Sequence, residues 1–232
     1  MPDPESAQLS SSVARISGGV NLAARGDVTI GGDVVGRDKI IGYTVEQVGV
    51  LLSQISATFQ PKPFDGRCPY LGLAAFDEDN AELFFGRERL IADLVARVAD
   101  ARFVMIVGPS GSGKSSLVRA GLLHALKSDA LPGSARWLYA TLKPGRDPLE
   151  QLALAMSRVA KSPSVADYLR QHATEAGALH KCAESLLSDR ADQRAVVCVD
   201  QFEEAFTQVS KEDERAAFLN LLTHAATAEA GA

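Results

Sequence analysis

One octapeptide constrains this chain more than any other feature: Gly108-Pro109-Ser110-Gly111-Ser112-Gly113-Lys114-Ser115, a glycine-rich loop closed by a lysine and a hydroxyl. By chance such a pattern turns up in roughly one chain of this length in a hundred, so its surroundings decide its meaning. The apolar run from Phe103 to Val107 leads directly into it, and a helical pattern opens directly behind it at Lys114. That is the setting a phosphate-binding loop requires, because backbone N–H groups curled at a helix N-terminus hold anionic oxygens at fixed geometry. Gly108, Gly111 and Gly113 allow the backbone turns and the close approach. Lys114 is placed to reach the β and γ phosphates as a point charge, Ser115 to ligate Mg²⁺, and Ser116 belongs to the same loop.

The other half of such a site is an acidic residue at the end of a second buried strand. Val196-Val197-Cys198-Val199-Asp200 fits, with Asp200 leaving the carboxyl end, where open α/β sheets bind ligands. Glu203 and Glu204 follow within a turn, and either carboxylate has the chemistry to orient an attacking water; the spacing does not choose between them. No Asn-Lys-x-Asp guanine signature and no Leu-Ser-Gly-Gly-Gln transporter signature occurs, which points to adenine and away from transporter ATPases. An arginine-bearing acceptor lid, as a small-molecule kinase would need, is also missing.

Along the chain the composition predicts five parts. Residues 1–12 are Pro- and Ser-rich and read as a disordered tail. Residues 13–42 carry a recurring Gly-Asp-Val unit, Gly26-Asp27-Val28 and Gly32-Asp33-Val34, which suits very short strands joined by tight turns. Residues 43–60 read as an amphipathic helix, with Thr44 and Gln47 in a capping-box pattern and Val45, Val48, Leu52, Ile55 and Phe59 on one stripe. Residues 61–68 read as a linker, and residues 69–232 as the N-terminal part of the nucleotide-binding domain.

In that last part helices alternate with strands. Helices are expected from Glu78 to Phe84, from about Arg87 to Asp100 with Leu90, Ile91, Leu94, Val95 and Val98 inward, from Lys114 to Lys127, from Asp147 onward, within Val165 to Ser188, and from Glu212 to Ala228. Strands are expected at Phe103 to Val107, buried on both faces, at Trp137 to Leu142, and at Ala195 to Val199. The fold class is α/β: a three-layer P-loop core with a mainly parallel, incomplete sheet.

Charge and cysteines set bounds. Lys and Arg number 24 against 29 Asp and Glu, a net charge of −5, so nucleic-acid binding is not expected. Cys68, Cys182 and Cys198 are far apart and odd in number, which suits reduced thiols in the cytoplasm. His180 and Cys182 have no second pair at zinc-ligand spacing. No apolar run approaches the ~20 residues that cross a bilayer.

Several further segments agree with one family. Cys68-Pro-Tyr-Leu-Gly-Leu-Ala-Ala-Phe76, Leu83-Phe84-Phe85-Gly86-Arg87-Glu88, the loop with Ser116-Leu-Val-Arg-Ala-Gly121 after it, and Val199-Asp200-Gln201-Phe202-Glu203-Glu204 together resemble the novel STAND NTPase 1 family of bacterial multidomain signalling ATPases. The resemblance implies ATP and ADP as ligands with Mg²⁺, base-side contacts from Phe85, Gly86 and Arg87, a Mg²⁺ role for Asp200 and a water-orienting role for Glu203 or Glu204. It also implies a switch, closed with ADP and opened by ATP, joined to winged-helix and repeat regions. In such a sheet a later strand inserts between the loop strand and the Asp200 strand. That strand is not found before Ala232, so a truncated chain is expected, with homotypic partners engaged through residues 13–60. The alternative expectation is a non-enzymatic adaptor that self-associates and binds nucleotide weakly or not at all.

Overall fold

The computed structural model describes residues 45–58, 66, 71–72, 74–190 and 193–228. The predicted tail, the Gly-Asp-Val segment and nearly all of the linker lie outside the described residues.

Helix α1 (Val45–Thr58) buries Leu51 and Ile55, one turn apart, and lies along α2 (Glu88–Asp100). Of the expected stripe Ile55 is buried and Val48 and Leu52 are half-buried; Leu51, not expected among them, is buried as well. Between these helices a 3₁₀ turn spans Glu78–Leu83, started by Asp77, whose Oδ1 accepts from Asp79 N (3.2 Å) while Asn80 Oδ1 accepts from Asp77 N (2.8 Å). Helix α2 turns Ile91, Ala92, Leu94, Val95 and Ala96 inward; Leu90, expected with them, is exposed. Its last carbonyls are capped from afar, Arg194 Nη1 donating to Val98 O and Ala99 O at 2.9 Å each, a cation at the negative end of the helix dipole.

Behind the glycine-rich loop the helix is not uniform. It is α-helical at α3 (Lys114–Ser116), π-helical over Leu117–Leu123, and α-helical again at α4 (His124–Lys127). Wider turns of this kind rotate side chains away from their α-helical directions and gather at functional sites. The segment buries Leu117, Ala120, Leu122 and Leu123, and α2 presses closely enough that a Cβ on Gly121 would meet Ile91 Cγ1 at 2.9 Å.

The remainder is one α/β unit. Strands β1 (Leu138–Leu142) and β2 (Ala195–Val199) pair in parallel, Leu138 opposite Ala195 and Leu142 opposite Val199. The crossover carries α5 (Pro148–Ala160), α6 (Pro163–Gln171) and α7 (Ala178–Leu187); α8 (Glu204–Thr207) and α9 (Glu212–Thr227) follow β2. Helix α5 starts as its sequence dictates, with Asp147 accepting from Glu150 N at 3.0 Å and Pro148 in the first turn, where its missing N–H costs nothing. One apolar core joins Ala140 and Leu142 of β1 to Leu152 and Met156 of α5, Leu169 of α6, Leu179 of α7, and Phe218 and Leu221 of α9.

The sheet corrects one expectation. Phe103 to Val107 does not join it: among the described residues β1 and β2 are its two strands. Phe103, Met105 and Val107 are 65%, 62% and 81% exposed. A wholly apolar run reads as a strand covered on both faces, but covering it takes neighbours along its edges, and none pairs with it here. The architecture is accordingly α/β with mostly helices and a short parallel sheet.

Candidate functional site

Two backbone features give the loop its shape. Gly111 and Gly113 take φ of 76° and 84°, left-handed conformations that a side chain disfavours, and Gly113 stands at the head of α3. Gly108 is tightly placed for a different reason: a Cβ there would lie 3.1 Å from Ser112 Oγ, so the serine side chain would have to shift. Lys114 arches back over the loop, its Nζ donating to the carbonyls of Gly108 and Pro109 at 2.9 Å each. Ser116 is buried and points the other way, accepting from Phe76 N at 3.1 Å, so it anchors the preceding segment to the helix.

The fold brings Asp200 to this loop. Its backbone N donates to Leu142 O at 2.9 Å, extending the β1–β2 pairing by one step. Gln201, directly after it, has φ 55°, a strained value for a residue with a side chain, and its N donates to Asp200 Oδ1 at 3.0 Å. Ser115 Oγ donates to the same oxygen at 2.8 Å. The other carboxylate oxygen, Oδ2, accepts from Arg119 Nη2 at 2.5 Å. Asp200 is thus 9% exposed, and its carboxylate accepts from Ser115, Gln201 and Arg119, each of them a donor. Beside it in β2, burial first and the Asp200 charge second push the Cys198 thiol up to about 11.

Arg119 is the residue that sequence reasoning missed. It stands in the π-helical stretch, its Nε is buried with no hydrogen-bond partner, and it shares an open cleft with Asp77, Glu78 and Asp79. The available signal was a charge in the middle of a helical segment, between the terminal Lys114 and Lys127, that is otherwise apolar on nearly every side.

The sequence pattern of the novel STAND NTPase 1 family matches residues 69–231, well over half of the chain. The chain belongs to that family. No curated protein and no solved structure matches it.

In this STAND NTPase domain the remaining candidates part company. Glu204 Oε2 accepts from Gly145 N at 3.1 Å, which ties it to the turn after β1. Glu203 is exposed and commits its carboxylate to no partner among the described residues. Phe85 and Arg87 are exposed and Gly86 turns with φ 82°, its N donating to Glu88 Oε1 at 2.8 Å. No hydrogen bond, ion pair or ring contact joins Phe85, Gly86 or Arg87 to the loop among the described residues; Phe84, one position earlier, packs on Phe76 at 5.7 Å between ring centroids.

A divalent ion fits the donors present. Ser115 and Asp200 offer a hydroxyl and a carboxylate, the hard oxygens Mg²⁺ prefers, and Mg²⁺ takes most of its remaining ligands from phosphates and water. No cluster of three or more His, Cys, Asp or Glu side chains competes as a metal site among the described residues. Nor is any described helix long and apolar enough to cross a membrane.

Proposed function

We propose that this STAND NTPase domain binds Mg·ATP as the nucleotide-binding part of a cytoplasmic signalling switch. The observation that carries the proposal is the 2.8 Å contact between Ser115 and Asp200, since it joins the head of the loop helix to the carboxyl end of β2. Lys114 and the loop N–H groups take the phosphates, Ser115 and Asp200 hold the ion, and Glu203 rather than Glu204 is free to orient a water. The ion supplies charge neutralisation for the β and γ oxygens. Phe85, Gly86 and Arg87 are assigned to the base side. Switching follows where ATP and ADP differ in affinity for two conformations, and self-association through residues 13–60 is its proposed output.

Titration calorimetry with Mg·ATP tests the proposal on the full chain beside Lys114→Ala. Binding by the wild type, weakened at least about tenfold in the variant, is the expected result. Equal affinity in both chains refutes it. Binding without turnover favours the second reading, a non-enzymatic adaptor that self-associates, for which the absence of Phe103 to Val107 from the described sheet is the supporting observation.

A further inference from the structure

We propose that Arg119 is a resident counter-cation for Asp200 that a divalent ion must displace, so that it sets how strongly the nucleotide site depends on its metal. The proposal rests on the reading of Asp200 and Ser115 as metal ligands and goes beyond it by assigning a residue which that reading leaves out.

Three observations support it. Asp200 is nearly buried, and a carboxylate in such a place needs a positive partner; Arg119 Nη2 at 2.5 Å provides one. The two carboxylate oxygens are divided, Oδ1 facing Ser115 and Gln201 N, Oδ2 facing Arg119, so the guanidinium occupies one side of the group a metal would use. Finally, Arg119 is poorly satisfied where it is: its Nε is buried and unpartnered, and its side chain borders the cleft formed by Asp77, Glu78 and Asp79. A guanidinium pushed off Asp200 therefore stays among carboxylates. The π-helical turns from Leu117 to Leu123 place it there.

The consequence is electrostatic. A unit positive charge held against Asp200 opposes a dication arriving at the same carboxylate. For a displaced guanidinium roughly 6 Å from the ion in a cleft open to water, with an effective dielectric near 80, that opposition corresponds to roughly tenfold in ion affinity. Arg119 keeps Asp200 neutralised while no nucleotide is present and keeps free metal from occupying the site alone, so ion and nucleotide enter together.

Mn²⁺ binding to the full 232-residue chain without nucleotide, read as free Mn²⁺ by electron paramagnetic resonance, tests this. Arg119→Met is expected to bind Mn²⁺ about tenfold tighter than wild type, and Arg119→Lys, which keeps the charge, to stay close to wild type. Arg119→Gln gives the same comparison with a polar side chain should the Met variant fold poorly, as judged by circular dichroism. Asp200→Asn added to the tighter-binding variant is expected to remove the gain. Unchanged or weaker Mn²⁺ binding in the neutral variants, with Asp200→Asn still eliminating the site, overturns the role of Arg119 alone. If Asp200→Asn changes nothing in either background, the metal-ligand reading of Asp200 falls with it.

Discussion

Ser115 Oγ donates to Asp200 Oδ1 at 2.8 Å across 85 positions of sequence. The hydroxyl sits in the first turn of α3 and the carboxylate at the end of β2, so packing of the loop helix against the β1–β2 unit sets their meeting. Ser115→Ala removes this donor and leaves Asp200 Oδ1 to Gln201 N. The expected effect is a loss of about tenfold in Mg·ATP affinity with ATP binding in EDTA little changed, since phosphates still meet Lys114 and the loop amides. Stability should fall by no more than about 1 kcal/mol. Calorimetry with and without Mg²⁺ separates the two; equal losses in both conditions contradict a metal role for Ser115.

Gly121 is a packing glycine. A Cβ there would meet Ile91 Cγ1 at 2.9 Å and Cδ1 at 3.0 Å, and Ile91 is itself fully buried. Gly121→Ala should destabilise the chain by about 1–3 kcal/mol through overpacking, despite the better helix propensity of alanine. In combination with Ile91→Ala it should cost less than the two changes summed, because the smaller neighbour makes room for the methyl group. Urea unfolding of the four chains measures the coupling, and strict additivity contradicts the contact.

Local chemistry made much of this fold legible. Asp147-Pro148 announced the start of α5, Ala195–Val199 announced β2, and the positive φ of Gly111 and Gly113 follows from the loop pattern. Non-local partners escaped it. Phe103 to Val107 has the composition of a buried strand, but composition supplies no neighbour for its edges. On α1 the pattern picked out Ile55 but not Leu51, because Leu51 and Leu52 are equally apolar and the position of α2 selects Leu51 as the more buried. Glu203 and Glu204 are chemically identical in sequence and are told apart by the Gly145 amide alone. Arg119 is defined wholly by where Asp200 ends up.

Acid should weaken the fold through His124. Burial holds its imidazole below the ordinary 6.5, with Glu78 and then Glu82 pulling the other way. As pH falls, the unfolded chain takes up this proton first, so the unfolded state binds more protons and the folded state loses ground. The penalty is absent well above 6.5, begins as pH passes that value, and levels off below the lower folded-state value. His124→Gln should flatten this limb of the stability profile without affecting the carboxylate titrations in stronger acid. Urea midpoints between about pH 8 and pH 5 report it, and identical slopes for the two chains refute the contribution.

Cys198 lies two positions before Asp200 in β2, and burial is the main reason its thiol sits near 11, with the Asp200 charge adding to it and Arg119 opposing. Burial also raises Cys182. The thiolate is the reactive form, and at about pH 8 a thiol shifted this far has roughly a hundredfold less of it than an ordinary cysteine. Site-resolved mass spectrometry after iodoacetamide treatment should therefore find Cys198 labelled about a hundred times more slowly in the native chain than in urea. Adding Mg²⁺ gives a sharper comparison: neutralising the Asp200 charge removes only the second contribution, while burial, the largest, persists. Labelling of Cys198 should stay slow with Mg·ATP present. If the rate instead approaches that of the unfolded chain, β2 is opening in solution and burial is not what governs this thiol.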